Sequence, residues 1–192
     1  MDKEEFPVPA ETDWRDAILV FPADTGIPPL YVVYSEKTSA KASGARIGDR
    51  RISQELYDEL RASTPSPSIR DKVNEGKVPP FPDNALPGFT VTKRLEADHI
   101  VSMDRITRME GFEDLTREQQ VKILNNSDNF IGLSRKANAS KGSKTFAEWT
   151  EHKGSGTLVD PVFREKMIKI EANLETKLQQ QIDDFVKMNS SK

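Results

Sequence analysis

The sequence predicts an α+β protein, and three observations carry that class. Two short apolar runs rich in β-forming residues, Ala17-Ile18-Leu19-Val20-Phe21 and Leu30-Tyr31-Val32-Val33-Tyr34, flank a stretch dense in turn residues. Capped helical segments of moderate length occupy the middle of the chain. From Asp160 onward a stripe of Phe163, Met167, Ile170, Leu174, Leu178, Ile182 and Phe185 recurs every three or four residues, the spacing of one helix face.

Composition sets the scale of the fold. With 192 residues, 35% hydrophobic and 31% charged, the chain can bury one modest core and a small satellite module. It has no cysteine, so disulfides and thiolate metal sites are excluded together, and a bound metal must take oxygen or imidazole ligands. No run reaches the length of a membrane span, and Met1-Asp2-Lys3-Glu4-Glu5-Phe6 lacks the basic-then-apolar order of a signal peptide. No membrane partner is expected.

Four regions differ in texture. Residues 1–37 are acidic, with a small β segment read as a hairpin or two neighbouring edge strands. Residues 38–87 read as connector. Their order is local: a short helix over 51–62 with Ile52, Leu56 and Leu60 on one face, then Pro79-Pro80-Phe81-Pro82, which opposes regular structure. Residues 88–156 begin with extended segments at Phe89–Thr92 and Arg94–Ala97, which deliver Asp98 and His99 near a strand end. Two short helices follow as an insertion, near Met103–Met109 and Thr116–Leu124, the second opened by a Thr116/Gln119 capping box. A strand is expected over Asn129–Ser134, then a turn over Arg135–Lys141 entering a helix that resumes from Thr145 to His152. Residues 157–192 form the amphipathic helix, with Asp160 as N-cap and Pro161 at its first position. That helix is expected to pack on the core.

The net charge of −3 is unevenly placed. Residues 1–36 hold two Lys/Arg against eight Asp/Glu, whereas residues 131–156 hold five against two. A local basic patch is enough for contact with a polyanion.

Chemistry concentrates in Glu96-Ala97-Asp98-His99-Ile100-Val101, answered downstream by Asn129 and by Asn138 within Lys136-Ala137-Asn138-Ala139-Ser140-Lys141-Gly142. A carboxylate beside a histidine, with two spaced asparagines and a basic loop, supplies a metal ligand, a base, an orienting group and phosphate contacts. Those are the needs of phosphodiester hydrolysis. The same residues resemble the HNH (ββα-metal) nucleases, in the variant whose first metal ligand is Asp and whose last is Asn. The Glu-x-Asp-His spacing and the nine-residue step from Asn129 to Asn138 also resemble the DNase domains of nuclease colicins and S-type pyocins. Those domains carry histidines where Asp98 and Asn138 stand here, and another near Gly142, which favours magnesium over a zinc site of their kind. A separate resemblance lies in Asp13 through Ser35, which is similar to the closing segment of the S-type pyocin module that precedes toxic domains.

The resemblances imply a ββα-metal (HNH) core with surrounding helices, and a metal-dependent DNase acting as an interbacterial toxin. His99 is assigned as general base, Asp98 and Asn138 as metal ligands, Asn129 as the residue that holds the imidazole or its loop, and Glu96 as an auxiliary. Asp98 and His99, adjacent on extended backbone, should face opposite ways. Arg135, Lys136, Lys141 and Lys144 are candidate phosphate contacts. The expected cofactor is one divalent ion, Mg2+ first, with Zn2+, Ni2+ or Mn2+ as alternatives. Expected partners are DNA, a cognate immunity protein, and delivery machinery or N-terminal carrier domains. Such a protein is made in the bacterial cytoplasm, delivered, and acts in the cytoplasm of a target bacterium. Two other classes stay open: an RNase using the same groups, and a non-catalytic interaction module. His152 and Trp149 are read as a solvated helix end and a core residue.

Overall fold

The two apolar runs near the N-terminus pair as antiparallel strands, β1 (Ala17–Leu19) and β2 (Tyr31–Val33), with Ala17 opposite Val33 and Leu19 opposite Tyr31. The computed structural model describes residues 44–191 together with these two strands. The rest of the acidic N-terminal segment, the strand extensions to Phe21 and Tyr34, and the Ser/Ala part of the expected link lie outside the described residues. Residues 1–42 and 43–192 are separate compact units.

In the larger unit, Ser53 opens α1 (Gln54–Ala62) by accepting the Leu56 amide, and the helix turns Tyr57 and Leu60 inward. Ile52 and Leu56 are half-buried against the same core. After Pro67 at its first turn, α2 (Pro67–Lys72) buries Ile69. Phe81–Pro82 then forms β3, paired with β4 (Thr90–Val91) so that Phe81 faces Val91. The Pro79–Pro82 run thus ends in regular structure after all. An edge strand leaves Pro82 free of any ladder N–H requirement.

The centre of the unit is the antiparallel pair β5 (Glu96–His99) and β6 (Phe130–Leu133), in register Glu96–Leu133, Ala97–Gly132, Asp98–Ile131 and His99–Phe130. Between the two strands in sequence lie α3 (Met103–Ile106) and α4 (Arg117–Leu124). The Thr116/Gln119 capping box is formed in both directions, at 3.3 and 2.9 Å. A side chain at Gly132 would meet Leu95 Cδ1 at 2.7 Å and the Val73 carbonyl at 2.9 Å, so only glycine lets β6 lie this close to the end of α2.

Directly after β6, Ser134 accepts the Ala137 amide and opens α5 (Arg135–Lys141). This segment was expected to be a turn; the Ser cap and a run of good helix formers make it helical. Gly142 ends it at φ +55° and ψ −132°, a conformation that a side chain would strain. The helix expected over Thr145–His152 is absent. In its place a turn buries Phe146 and Trp149, and a small hairpin joins β7 (Glu151–His152) to β8 (Thr157–Leu158). The Lys153-Gly154-Ser155-Gly156 stretch favours that reversal over helix continuation.

The last helix, α6 (Pro161–Ser190), is capped by Asp160, whose carboxylate accepts the Phe163 amide at 2.7 Å. Met167, Leu174, Leu178 and Ile182 are buried, while Phe163, Ile170 and Phe185 pack partly exposed beside them. They close a core that also contains Leu60, Leu86, Ile106, Phe112, Leu124 and Trp149, all essentially inaccessible. Burial of each Leu, Ile or Phe side chain contributes about 1.5–3 kcal/mol, so most of the driving force resides here. Residues from 44 to 87 therefore belong to the compact unit and supply part of its core. Among the described residues no helix is long and apolar enough to cross a membrane. The class is α+β: small two-stranded sheets framed by helices.

Candidate active site

The site is organised by the two faces of β5. Alternation along the strand sends Glu96 and Asp98 to one side, where α5 lies, and His99 to the other, where α4 ends. Asn129 fixes the point at which the chain leaves this strand. Its side chain accepts the Val101 amide at 2.8 Å and donates to the Val101 carbonyl at 3.0 Å, and its own carbonyl takes the Ile100 amide at 2.9 Å. Asn129 is fully buried, so these bonds act without competition from water. It holds the loop that follows His99, and makes no contact with the imidazole itself among these bonds.

The His99 ring packs on Phe130 with centroids 4.3 Å apart. Its Nε2 lies 2.9 Å from the Leu124 carbonyl oxygen and 3.3 Å from Thr64 Oγ1. A carbonyl can only accept, so Nε2 carries the proton and Nδ1 keeps its lone pair. Burial lowers the pKa of the imidazole to about 4, with the Leu124 bond opposing and the Lys141 charge adding to the effect. At neutral pH His99 is uncharged and can accept a proton at Nδ1.

On the other face, Asn138 of α5 donates to Glu96 Oε2 at 2.6 Å, and Arg135 Nε stands 4.0 Å from Glu96 Oε1. One turn after Asn138, Lys141 is fully buried, with Nζ 2.9 Å from Asp98 Oδ2 and 3.1 Å from the His99 carbonyl. Its ammonium also lies 5.0 Å from the centre of the Phe146 ring. Desolvation raises the pKa of Asp98, and the neighbouring ammonium partly offsets that rise. Lys141 is thus placed differently from the surface phosphate contact that the sequence suggested. The reason is its position on the buried side of a helix, four residues after the fully buried Ala137.

The other basic candidates remain at the surface. Arg135 is almost wholly exposed, Lys136 sits over the Phe89 ring at 4.4 Å, and Lys144 donates to the Ser140 carbonyl at 2.8 Å. All three line a groove of about 720 Å³ beside the end of α5. His152, expected on a solvated helix end, lies instead on β7, half-buried, with its ring edge-on to Phe89 at 5.8 Å.

Glu96, Asp98 and Asn138 offer oxygen donors on one side of β5, a set suited to a hard cation with water completing its shell. Asp98 Oδ2 is buried and receives no hydrogen bond of proper geometry, although Lys141 stands within ion-pairing range. The Lys141 ammonium already meets the charge of this oxygen, so a metal ion bound here would share or displace that contact. Among the described residues no three His, Asp or Glu side chains form a metal-binding group, so a cation here would depend on the Asn138 amide oxygen and on water.

Comparison with known proteins bears on the other end of the chain. Residues 1–33 match the S-type Pyocin family. The N-terminal segment is pyocin-like, as the wording of Asp13 through Ser35 suggested. No curated protein and no solved structure gives a significant match to the chain.

Sequence reasoning missed Thr64, and it named Lys141 but placed it at the surface. Thr64, beside His99 Nε2, comes from the end of α1 and carries no local signal. Lys141 had one: reading Arg135–Lys141 as a helix puts Asn138 and Lys141 one turn apart, on the same side.

Proposed function

We propose that this chain carries an HNH-type, metal-dependent endonuclease that hydrolyses DNA phosphodiester bonds as the toxic end of a pyocin-like effector. The observation that carries this reading is the arrangement around β5. Asp98 and His99 leave the strand at a point locked by Asn129, and α5, following β6 without a break, brings Asn138 to the face that holds Glu96 and Asp98.

In this reading His99 Nδ1 takes a proton from the attacking water, a role that its tautomer and uncharged state support. Burial that keeps the ring neutral also weakens it as a base, and an approaching phosphate anion strengthens it. Asn129 keeps the base in position by fixing the following loop. Asp98 and Asn138, with Glu96 beside them, would hold a divalent ion, magnesium before zinc, nickel or manganese, which supplies charge stabilisation at the scissile phosphate and the leaving oxygen. Lys141 neutralises Asp98 and, through the His99 carbonyl, ties α5 to the backbone of the proposed base. Arg135, Lys136 and Lys144 would position the phosphate backbone.

The pyocin-like N-terminus supports delivery into a competing bacterium, with action in that cell's cytoplasm and protection of the producer by a cognate immunity protein. Carrier domains or other delivery machinery would precede the toxic part. A plasmid-nicking assay tests the chemistry. Magnesium-dependent cleavage by the wild-type chain, lost in His99→Ala and Asp98→Ala variants that still fold, is the expected result. Cleavage of RNA alone would assign a different polymer. Full DNA cleavage by folded His99→Ala would remove the proposed base, and no cleavage of either polymer would leave an interaction module.

A further inference from the structure

The groove beside α5 is wider in its membership than the three cations already named. Lys93 and Arg94 reach it from the segment between β4 and β5, and Lys153 from the β7–β8 turn. Together with Arg135, Lys136 and Lys144 they bring six cations from three separate stretches of chain around one cavity. One acid lines it, and that acid is turned inward: Asp83 is buried and its carboxylate accepts the Ala85 and Leu86 amides at 2.9 and 3.1 Å. Of the six, Arg94 is paired with Asp71 at 2.7 Å and Arg135 approaches Glu96 at 4.0 Å. Among the described residues Lys93, Lys136 and Lys153 have no ion-pair partner.

Like charges gathered this way repel, and folding alone gains nothing from the arrangement. A ligand with repeating negative charge would relieve it. The lining is partly apolar: Phe89 meets the His152 ring edge-on and carries the Lys136 ammonium over its face. Alternating charge and apolar surface is the character of a sugar–phosphate chain. Through Arg135, the groove also adjoins Glu96 and Asn138.

We infer that this groove is a binding track for a nucleic-acid backbone, with Lys93, Arg94 and Lys153 contributing to it alongside Arg135, Lys136 and Lys144. The inference rests on the nuclease reading for its choice of polymer. Recognition is of phosphate and sugar, so binding is independent of base sequence.

The test uses the full chain, a fluorescein-labelled 20-base-pair duplex, and EDTA to prevent cleavage, with affinity measured over a range of salt. Six phosphate contacts give a slope of log K against log salt of about −5, and the Lys93→Ala/Lys153→Ala double variant should lower its magnitude by about 2. Both side chains are exposed, so an unchanged melting temperature is expected. With magnesium added, the double variant should raise KM for plasmid DNA and leave kcat within about twofold. Absence of binding, or equal affinity and slope in the double variant, would overturn the track. Equal competition by polyglutamate at matched charge would also overturn it, since the groove would then be a site for acidic protein. Salt-dependent duplex binding that weakens in the double variant, together with no cleavage by the wild type, would retain the track and remove the nuclease.

Discussion

Lys141→Met tests how the two halves of the site are joined. Lys141 is fully buried, and its ammonium is shared between the Asp98 carboxylate at 2.9 Å and the His99 carbonyl at 3.1 Å. Methionine fills similar volume without charge, so the substitution leaves Asp98 buried with no counter-ion. Breaking a buried pair on one side costs about 3–5 kcal/mol, roughly a fifth or more of the stability of an ordinary domain. The loss should appear as a lower urea midpoint at pH 8, followed by far-UV circular dichroism. Without its partner, the Asp98 pKa in the folded state rises further above its unfolded value. A carboxyl shifted that way contributes stability below the unfolded pKa and loses it as pH rises through the folded one. The deficit of the variant should therefore shrink toward pH 4. Asp98→Asn in the same chain should recover most of it, because a neutral amide needs no counter-ion. A wild-type midpoint for Lys141→Met, or a deficit that Asp98→Asn leaves unchanged, would refute the claim that this ion pair fastens α5 to β5.

Two further substitutions probe the core. Glu171 on α6 is buried, accepts the Phe146 amide at 2.9 Å, and burial raises its pKa to about 7. Its contribution is favourable below pH 4.5 and is lost as pH rises through 7, so Glu171→Gln should gain on the order of 2–3 kcal/mol relative to wild type between pH 5 and pH 8. His99, lowered to about 4, works in the opposite sense: its contribution falls as pH drops from 6.5 to 4. The two nearly cancel in the wild-type chain, and a pH series of chemical denaturations on Glu171→Gln should uncover the His99 slope. A flat series in this variant would contradict the His99 shift, and an unchanged pH dependence relative to wild type would contradict the Glu171 shift. Leu174→Asp places a charge at a position that is 5% exposed, and should cost about 4 kcal/mol or more. Retained thermal stability would mean that this face of α6 is held open for a partner.

The legible parts of the fold are those set by neighbours in sequence. The α6 stripe, its Asp160 cap, the Thr116/Gln119 box and the β-rich runs of β1, β2 and β6 depend on spacing and side-chain type within a few residues, so the chain displays them directly. The errors fell where local preference was weak. Arg135–Lys141 mixes good helix formers with Asn138 and Ser140, which are equally at home in a turn, and its helix is fixed by the Ser134 cap and by the burial of Ala137 and Lys141. Thr145–His152 looked helical, yet the packing of Phe146 and Trp149 into the core and the glycines after Lys153 give a turn and a hairpin instead.

By itself the sequence determined the class of fold, the order of strand, insertion and strand, the opposite directions of Asp98 and His99, and a pyocin-like beginning, because each follows from residues close along the chain. Only the tertiary structure decided which carbonyl sets the tautomer of His99, that Lys141 lies buried against Asp98 instead of facing solvent, and that Lys93, Arg94 and Lys153 share a groove with α5. Those relations join residues dozens of positions apart. Burial changes their charge and hydrogen bonding by several kcal/mol, and no local pattern encodes which distant group will be there.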